Sequence, residues 1–287
     1  MMCRGKKEYS ERAKEGNSVA KKDKVCYNDS IYQNEVRMDR IGVYAYCGFD
    51  LPAEERFKAV KAAGFQKVAV WCNTDFNTNS GISEYEQFKF VREQGLTVSY
   101  AHAPIKYAPY LMNKYYGAKE AVKTHKIYLK GAKEQGVDIV VVHLPEVTPV
   151  VIDNVLEIAD FAKGQGVTLA VENLTGEAPF DELFREVKDI SFCYDTCHAL
   201  MFGDNDGKMA EKYMDRLVTT HLSDGDGKKD CHFMPGDGVF DFATLAKRLK
   251  AGGYKGDFVL EAFQSAEYAD ISEFLSTGKQ RLERIFG

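Results

Sequence analysis

From Ile41 onward the chain alternates short runs rich in Val, Ile and Tyr with longer amphipathic stretches, and it does so eight times. The runs fall at about residues 41–46, 67–71, 97–101, 138–142, 167–172, 191–195, 217–221 and 257–261. Short apolar runs separated by helical spacing are the pattern of βα units and of a parallel sheet buried on both faces. Five of the helical stretches close alike, on Ala-Ala-Gly64-Phe, Glu-Gln-Gly95-Leu, Glu-Gln-Gly136-Val, Gly-Gln-Gly166-Val and Gly-Gly253-Tyr. A glycine there takes the left-handed conformation that ends a helix, and the next strand follows at once. Eight such units in roughly 250 residues match a closed (β/α)8 TIM barrel, whose reactive side chains gather at the C-terminal ends of the strands. An open doubly wound sheet is the alternative architecture.

No stretch reads as an interdomain linker, so residues 39–287 are predicted to be one catalytic barrel. Residues 1–38, rich in Lys, Glu, Ser and Asn, have neither a secretory apolar region nor a membrane span, and are expected to form a flexible peripheral extension. Charge divides the same way. Residues 1–40 hold 10 Lys/Arg against 7 Asp/Glu, leaving 28 against 36 in the rest. A mildly acidic body argues against a nonspecific polyanion binder without excluding a local basic groove. The seven cysteines, at 3, 26, 47, 72, 193, 197 and 231, include no Cys-x-x-Cys pair, which suggests reduced thiols and a cytoplasmic protein. Neither a Gly-x-Gly-x-x-Gly turn nor a phosphate-loop signature is present.

The ends of the runs carry the chemistry. His102, His143, Glu172, Asp195, His221 and Glu261 each close one run, and in a parallel closed barrel they would converge on one rim. A single strand-end acid is ordinarily a solvated loop residue. A whole series of acids and imidazoles closing buried strands would be left mutually repelling or unpaired without a cation. Glu172, Asp195, His221 and Glu261 therefore read as a shell for a divalent ion, with Mn, Zn, Mg and Co all compatible with the donor set. His198 and the Asp230–His232 segment add further donors. His125, inside a charged helical stretch, is expected at the surface. Lys228 and Lys229 read either as solvated loop charges or as contacts to a substrate phosphate. Trp71, Tyr46, Phe49 and Phe76 are candidates for an apolar pocket wall.

The segments His-Ala-Pro at 102–104, Val-His-Leu-Pro at 142–145 and Glu-Asn-Leu-Thr-Gly at 172–176 carry a resemblance, together with Asp-Thr-Cys-His-Ala at 195–199, His-Leu-Ser-Asp at 221–224 and His-x-x-Pro-Gly-x-Gly at 232–238. In combination, over about residues 39–285, they resemble the xylose-isomerase-like TIM-barrel superfamily, which joins sugar and sugar-phosphate isomerases and epimerases with endonuclease IV type apurinic-site nucleases. Similarity to the epimerases implies one divalent ion on Glu172, Asp195, His221 and Glu261, with His198 on a substrate oxygen. It also implies that Glu172 and Glu261 act as base and acid, moving a proton beside a carbonyl through an enediolate that the ion stabilises. Similarity to the nucleases implies up to three zinc ions on His102, His143, Glu172, Asp195, His198, His221, Asp230, His232 and Glu261, and hydrolysis of a phosphodiester.

The loop from Trp71 to Ser80 lacks the basic, glutamine-bearing stretch that such nucleases insert into DNA. Ile105-Lys106-Tyr107 also departs from their wedge, although Tyr110-Leu111-Met112-Asn113 follows. The favoured reading is thus an isomerase or epimerase of a small sugar or sugar phosphate, without nucleic-acid or membrane partners and open to homo-oligomerisation. The nuclease is the competitor, and a non-catalytic barrel subunit is a third reading. Specificity is assigned to loops 47–56, 72–82, 103–115 and 202–212.

Overall fold

The computed structural model describes residues 39–72 and 85–287. The N-terminal extension and most of the 72–82 loop, with Phe76, lie outside the described residues. Strands and helices alternate as β1 Ile41–Tyr44, α1 Ala53–Ala62, β2 Lys67–Trp71, α2 Glu86–Glu93, β3 Thr97–His102, a 3-10 helix Ile105–Met112, α3 Tyr116–Glu134, β4 Ile139–Val142 and α4 Pro149–Gln165. They continue as β5 Thr168–Glu172, α5 Glu177–Glu186, β6 Ser191–Asp195, α6 Thr196–Met201, α7 Lys208–Lys212, β7 Leu217–Leu222, α8 Phe242–Ala251, β8 Asp257–Leu260 and α9 Ile271–Phe286. The eight strands are all parallel and close in sequence order, β8 pairing back to β1 through Ile41–Phe258 and Val43–Leu260. This is the TIM barrel expected from the alternation.

Local chemistry sets the element ends. Gly166 caps α4 at φ 65°, its N–H returning to Lys163, and Thr168 N reaches Asp138 two residues later. Gly64, Gly95, Gly136 and Gly253 take the same left-handed conformation, so the glycine device repeats around the bottom of the barrel. At the other helix ends the first-turn N–H groups meet side chains: Thr148 accepts from Val151, Asp241 from Thr244, and Asp270 from Ser272 and Glu273.

Two apolar layers result. The larger lies between strands and helices, with Phe57, Leu129, Ile158, Leu183 and Phe274 fully enclosed. The smaller fills the barrel lumen with Tyr44, Ala69, Tyr100, Val141, Ala170, Cys193 and Val259, large rings opposite small residues. His125 belongs to the first layer rather than to the surface. On α3 it continues the buried stripe Ala118, Ala121, Val122, Leu129 and Ala132, and its Nδ1 donates to the Ala121 carbonyl at 2.7 Å. Burial therefore pushes its pKa below the usual value. Among the described residues no helix is long and apolar enough to cross a membrane.

Candidate metal centre and substrate cavity

Parallel closure brings the strand tips together. His102, Glu172 and Asp195 are the last residues of β3, β5 and β6, His221 is next to last in β7, and His143 and Glu261 follow β4 and β8 directly. Asp195 sits opposite His221 in register, and Trp71 opposite His102. Asn173, which the sequence reading passed over, fixes two of these tips against each other. Its amide donates to the Asp195 carbonyl at 2.8 Å and accepts from the Asp195 N–H at 2.6 Å. Below, the Tyr100 ring stacks on the His221 imidazole, 5.2 Å between centroids and 19° between planes.

The outer candidate ligands Asp230 and His232 arrive on a structured loop. Asp224 is fully buried and accepts from the N–H groups of Gly225, Gly236 and Phe240, while Asp224 and Phe233 exchange backbone hydrogen bonds. Gly238 is obligatory here, because a Cβ would lie 2.3 Å from Asp224 Oδ1 and from the Gly225 carbonyl. His232 is held at φ 45°, an uncommon conformation for a residue with a Cβ. Its Nδ1 faces the Glu261 carbonyl at 2.9 Å and its Nε2 faces Asp230 Oδ1 at 2.9 Å.

At the centre stands Glu172. Its Oε2 lies 2.9 Å from His143 Nε2, 3.1 Å from His102 Nε2 and 3.3 Å from His221 Nδ1, and its Oε1 lies 2.9 Å from His198 Nδ1. His221 Nδ1 also contacts Glu261 Oε2 and approaches Asp195 Oδ2 at 3.8 Å. His198 Nε2 is 3.4 Å from Asp230 Oδ1. Three donor groups come together, each with its ligand atoms within 4.8 Å of one another: His102–His143–Glu172, Glu172–Asp195–His221 and Asp195–His198–His232. Every histidine and carboxylate singled out from the sequence is thus in one cluster.

The electrostatics fit a cation. Asp195 Oδ2 is buried without a hydrogen-bond partner, while Glu261 Oε2, Glu172 Oε2 and Asp195 Oδ2 all crowd the one nitrogen His221 Nδ1, an arrangement that costs free energy unless a further positive charge serves the carboxylates. Burial raises the Asp195 carboxyl. For Glu172 burial acts in the same direction, but the His221 and His143 imidazoles outweigh it and hold the carboxyl well below its usual range. Glu261 is lowered for the same reason, by His221. In both glutamates the imidazoles thus outweigh desolvation.

The compensating protons sit on histidine. Burial opposes charge on His198, yet Asp195, Asp230 and Glu172 push its pKa up to about 12. His232 rises to about 9 through Asp230 and Asp195, and His221 rises through Cys193, Glu261 and Glu172, again against burial. Four carboxylates balanced by imidazolium protons form a donor set in which a divalent ion can replace the protons. Glu172, Asp195, His221 and Glu261 would hold that ion.

The cluster forms one wall of a cavity of about 280 Å³, near the lower end of small-molecule sites. Tyr44, Tyr46, Trp71, Ile105 and Phe263 line the cavity beside it. Of the aromatic residues expected there, Tyr46 and Trp71 line it. Phe49 instead packs in the core, 5.5 Å from the Phe274 ring. Phe263, two residues after Glu261, was missed although Glu-Ala-Phe ends the β8 run. Lys228 and Lys229 are not brought to the cavity. Both are exposed, their backbone N–H groups donating to Asp226 at 2.8 and 3.1 Å.

Residues 57–277 match the family described as Xylose isomerase-like TIM barrel. An inosose dehydratase from Serratia proteamaculans is 32% identical over 163 residues, 48% of this chain and 55% of that relative. A second, from Geobacillus thermodenitrificans, is 27% identical over 210 residues, 58% of this chain and 70% of the relative. The chain thus spans little more than half the length of the first. Among solved structures, a 3-keto-D-glucoside 4-epimerase from E. coli superposes with a TM-score of 0.67 at 20% identity, over 85% of this chain and 99% of that one. A D-tagatose 3-epimerase-like protein does so with a TM-score of 0.67 at 19% identity, over 86% and 100%. These likenesses repeat the fold seen here. With most of its barrel matched and its strand-tip acids and imidazoles gathered at one mouth, the chain belongs to the xylose isomerase-like TIM-barrel family.

Proposed function

We propose that the chain is a divalent-metal-dependent isomerase or epimerase of a small sugar or related cyclic polyol-ketone, with Glu172 and Glu261 exchanging a proton at the carbon next to a carbonyl. The observation that carries this reading is the placement of the two glutamates. They leave different strands, β5 and β8, line the same cavity, and both contact the single nitrogen His221 Nδ1. Substrate in the cavity would lie within reach of two separate carboxylates, so that one could take a proton from carbon while the other returns one.

A divalent ion, when bound, supplies positive charge for the oxygen on which negative charge develops. One glutamate then accepts the proton from carbon and the other returns one. His221 keeps both carboxylates ionised and aligned between turnovers. Because the imidazoles hold both glutamates low, the driving force comes from stabilising charge on the substrate oxygen rather than from a strong base. His198, directed at the cavity and carrying a proton, is placed to donate a hydrogen bond to a substrate hydroxyl. Two relatives are named inosose dehydratase, and loss of water from a polyol-ketone could begin at this site in the same way, by removal of a proton beside the ketone with departure of the neighbouring hydroxyl. His198 is also placed to protonate such a leaving group.

Solvent-deuterium incorporation into the substrate carbon tests the reading. Incorporation in the ion-loaded chain, lost in both Glu172→Gln and Glu261→Gln, supports it; undiminished incorporation in both variants refutes it. The convergence of all nine donors also keeps the nuclease reading in play. Two or three zinc ions per chain with cleavage of an abasic-site duplex would replace the epimerase with the hydrolase.

A further inference from the structure

Resting on the isomerase or epimerase reading, we infer that the site takes an uncharged sugar or cyclic polyol-ketone, packed by an apolar C–H face on an aromatic wall, rather than a phosphorylated one. The wall is continuous. Tyr46 lies 6.0 Å from Trp71 and 6.1 Å from Phe263 between ring centroids, and Tyr44 lies 6.0 Å from Trp71. Phe263 in turn packs 4.8 Å from His232, so the aromatic surface runs directly into the polar cluster. A ligand with one apolar face and one face of hydroxyls and carbonyl matches that division.

The charges point the same way. Glu172, Asp195, Asp230 and Glu261 are four carboxylates in one cluster, and a single dication together with the His198 and His232 imidazoles set against Glu172 and Asp230 balances them with no positive charge left over. A phosphate dianion would bring negative charge that no remaining cation meets. Phosphate sites ordinarily answer such charge with Arg, Lys or free helix N-terminal N–H groups. Among the described residues lining the cavity there is no Lys or Arg. Residues 73–84, Asn-Thr-Asp-Phe-Asn-Thr-Asn-Ser-Gly-Ile-Ser-Glu, contain none either. The N-terminus of α6 beside the site is already answered by Asp195, which accepts from His198 N–H at 2.7 Å. Ion count and substrate charge are therefore linked: three dications would leave positive charge over and favour a phosphate ester, whereas one leaves the site suited to a neutral ligand.

Trp71 is the only tryptophan in the chain, so its fluorescence reports occupancy of the wall without requiring turnover. Free ketopentoses, ketohexoses and inososes, and the monophosphate ester of each, would be titrated into the full chain, both ion-loaded with ion content measured and after chelation. The expected result is a saturable Trp71 response to at least one free compound, at a concentration lower by roughly 100-fold or more than its phosphate ester needs, with the preference kept after chelation. Trp71→Phe should erase the optical signal and leave the preference visible by calorimetry. A phosphate ester that binds as well or better overturns the inference, while deuterium exchange on that ester would leave the epimerase reading standing. Preferential binding of free sugars without exchange would keep the ligand class and sink the enzyme reading. No response to any compound, optical or calorimetric, overturns the inference.

Discussion

At the bottom of the barrel Lys67 Nζ lies 2.7 Å from Asp257 Oδ1, and Ser99 donates to Asp257 Oδ2 at 2.7 Å. At the mouth, at the other ends of the strands, Asp195 Oδ2 is buried with no hydrogen-bond partner and three carboxylates crowd His221 Nδ1. The same kinds of residue stand at the starts and at the ends of the same strands. At the bottom an ammonium, a hydroxyl and a carboxylate satisfy one another, so that cluster needs nothing from outside. At the mouth carboxylates outnumber fixed cations, and charge balance depends on protons or an ion. Polar burial that closes on itself stabilises a barrel; polar burial that stays open marks where the barrel binds.

The largest effect should come from breaking the open end. Glu172→Gln or Glu261→Gln should cost on the order of 10²–10⁴ in the rate of proton exchange at the substrate carbon, with circular dichroism unchanged. Chelation comes next. If free ion stands near 100 times its dissociation constant, removing it should lower stability by about 2.7 kcal/mol, read as a fall in Tm that added Mn or Zn restores. The closed end should behave oppositely. Asp257→Ala strands the Lys67 ammonium and should cost about 1–3 kcal/mol by denaturant unfolding, while the ion content of the purified chain stays at the wild-type level. A fall in ion content would show that the two ends are not independent.

The smallest effect should lie between the ends, at His125. Its folded pKa is depressed by burial, so between that value and the unfolded value of about 6.5 the unfolded chain binds the extra proton. Its stabilising contribution is complete above about pH 6.5 and is lost as pH falls below it. Comparing Tm against pH for the wild type and His125→Gln should show a shallower acid decline in the variant.

Much of this contrast was legible before any coordinates. The strand runs were visible because residues buried on both faces must be continuously apolar, and the helix ends because only glycine fits the left-handed turn. Glu172, Asp195 and His221 stood out because each interrupts such a run at its end. What escaped depended on closure in three dimensions. Asn173 looks like any polar residue after a strand until β6 is laid beside β5. Tyr100 faces the lumen while Val98, two residues earlier, packs on the outer layer, because the β2–β3 register shifts between Val68 and Val70. Lys228 and Lys229 read either as solvated loop charges or as phosphate contacts, and the turn around Asp226, which accepts from both backbone N–H groups, carries them outward. His125 was misjudged because its lysine neighbours obscured a helical stripe in which it occupies a regular place.

Asp195 has one feature whose consequence reaches beyond charge. Oδ1 is committed to the His198 N–H and starts α6, while Oδ2 is the atom left facing the cluster. A ligand carboxylate is thus also the first fastening of the next helix. Exchange of ions could therefore leave the scaffold around His198 undisturbed, because the oxygen that would change partners is not the oxygen that holds the fold. Asparagine at this position could keep the fastening and lose the ligand, and its chain would have the shape of the enzyme with the grip removed.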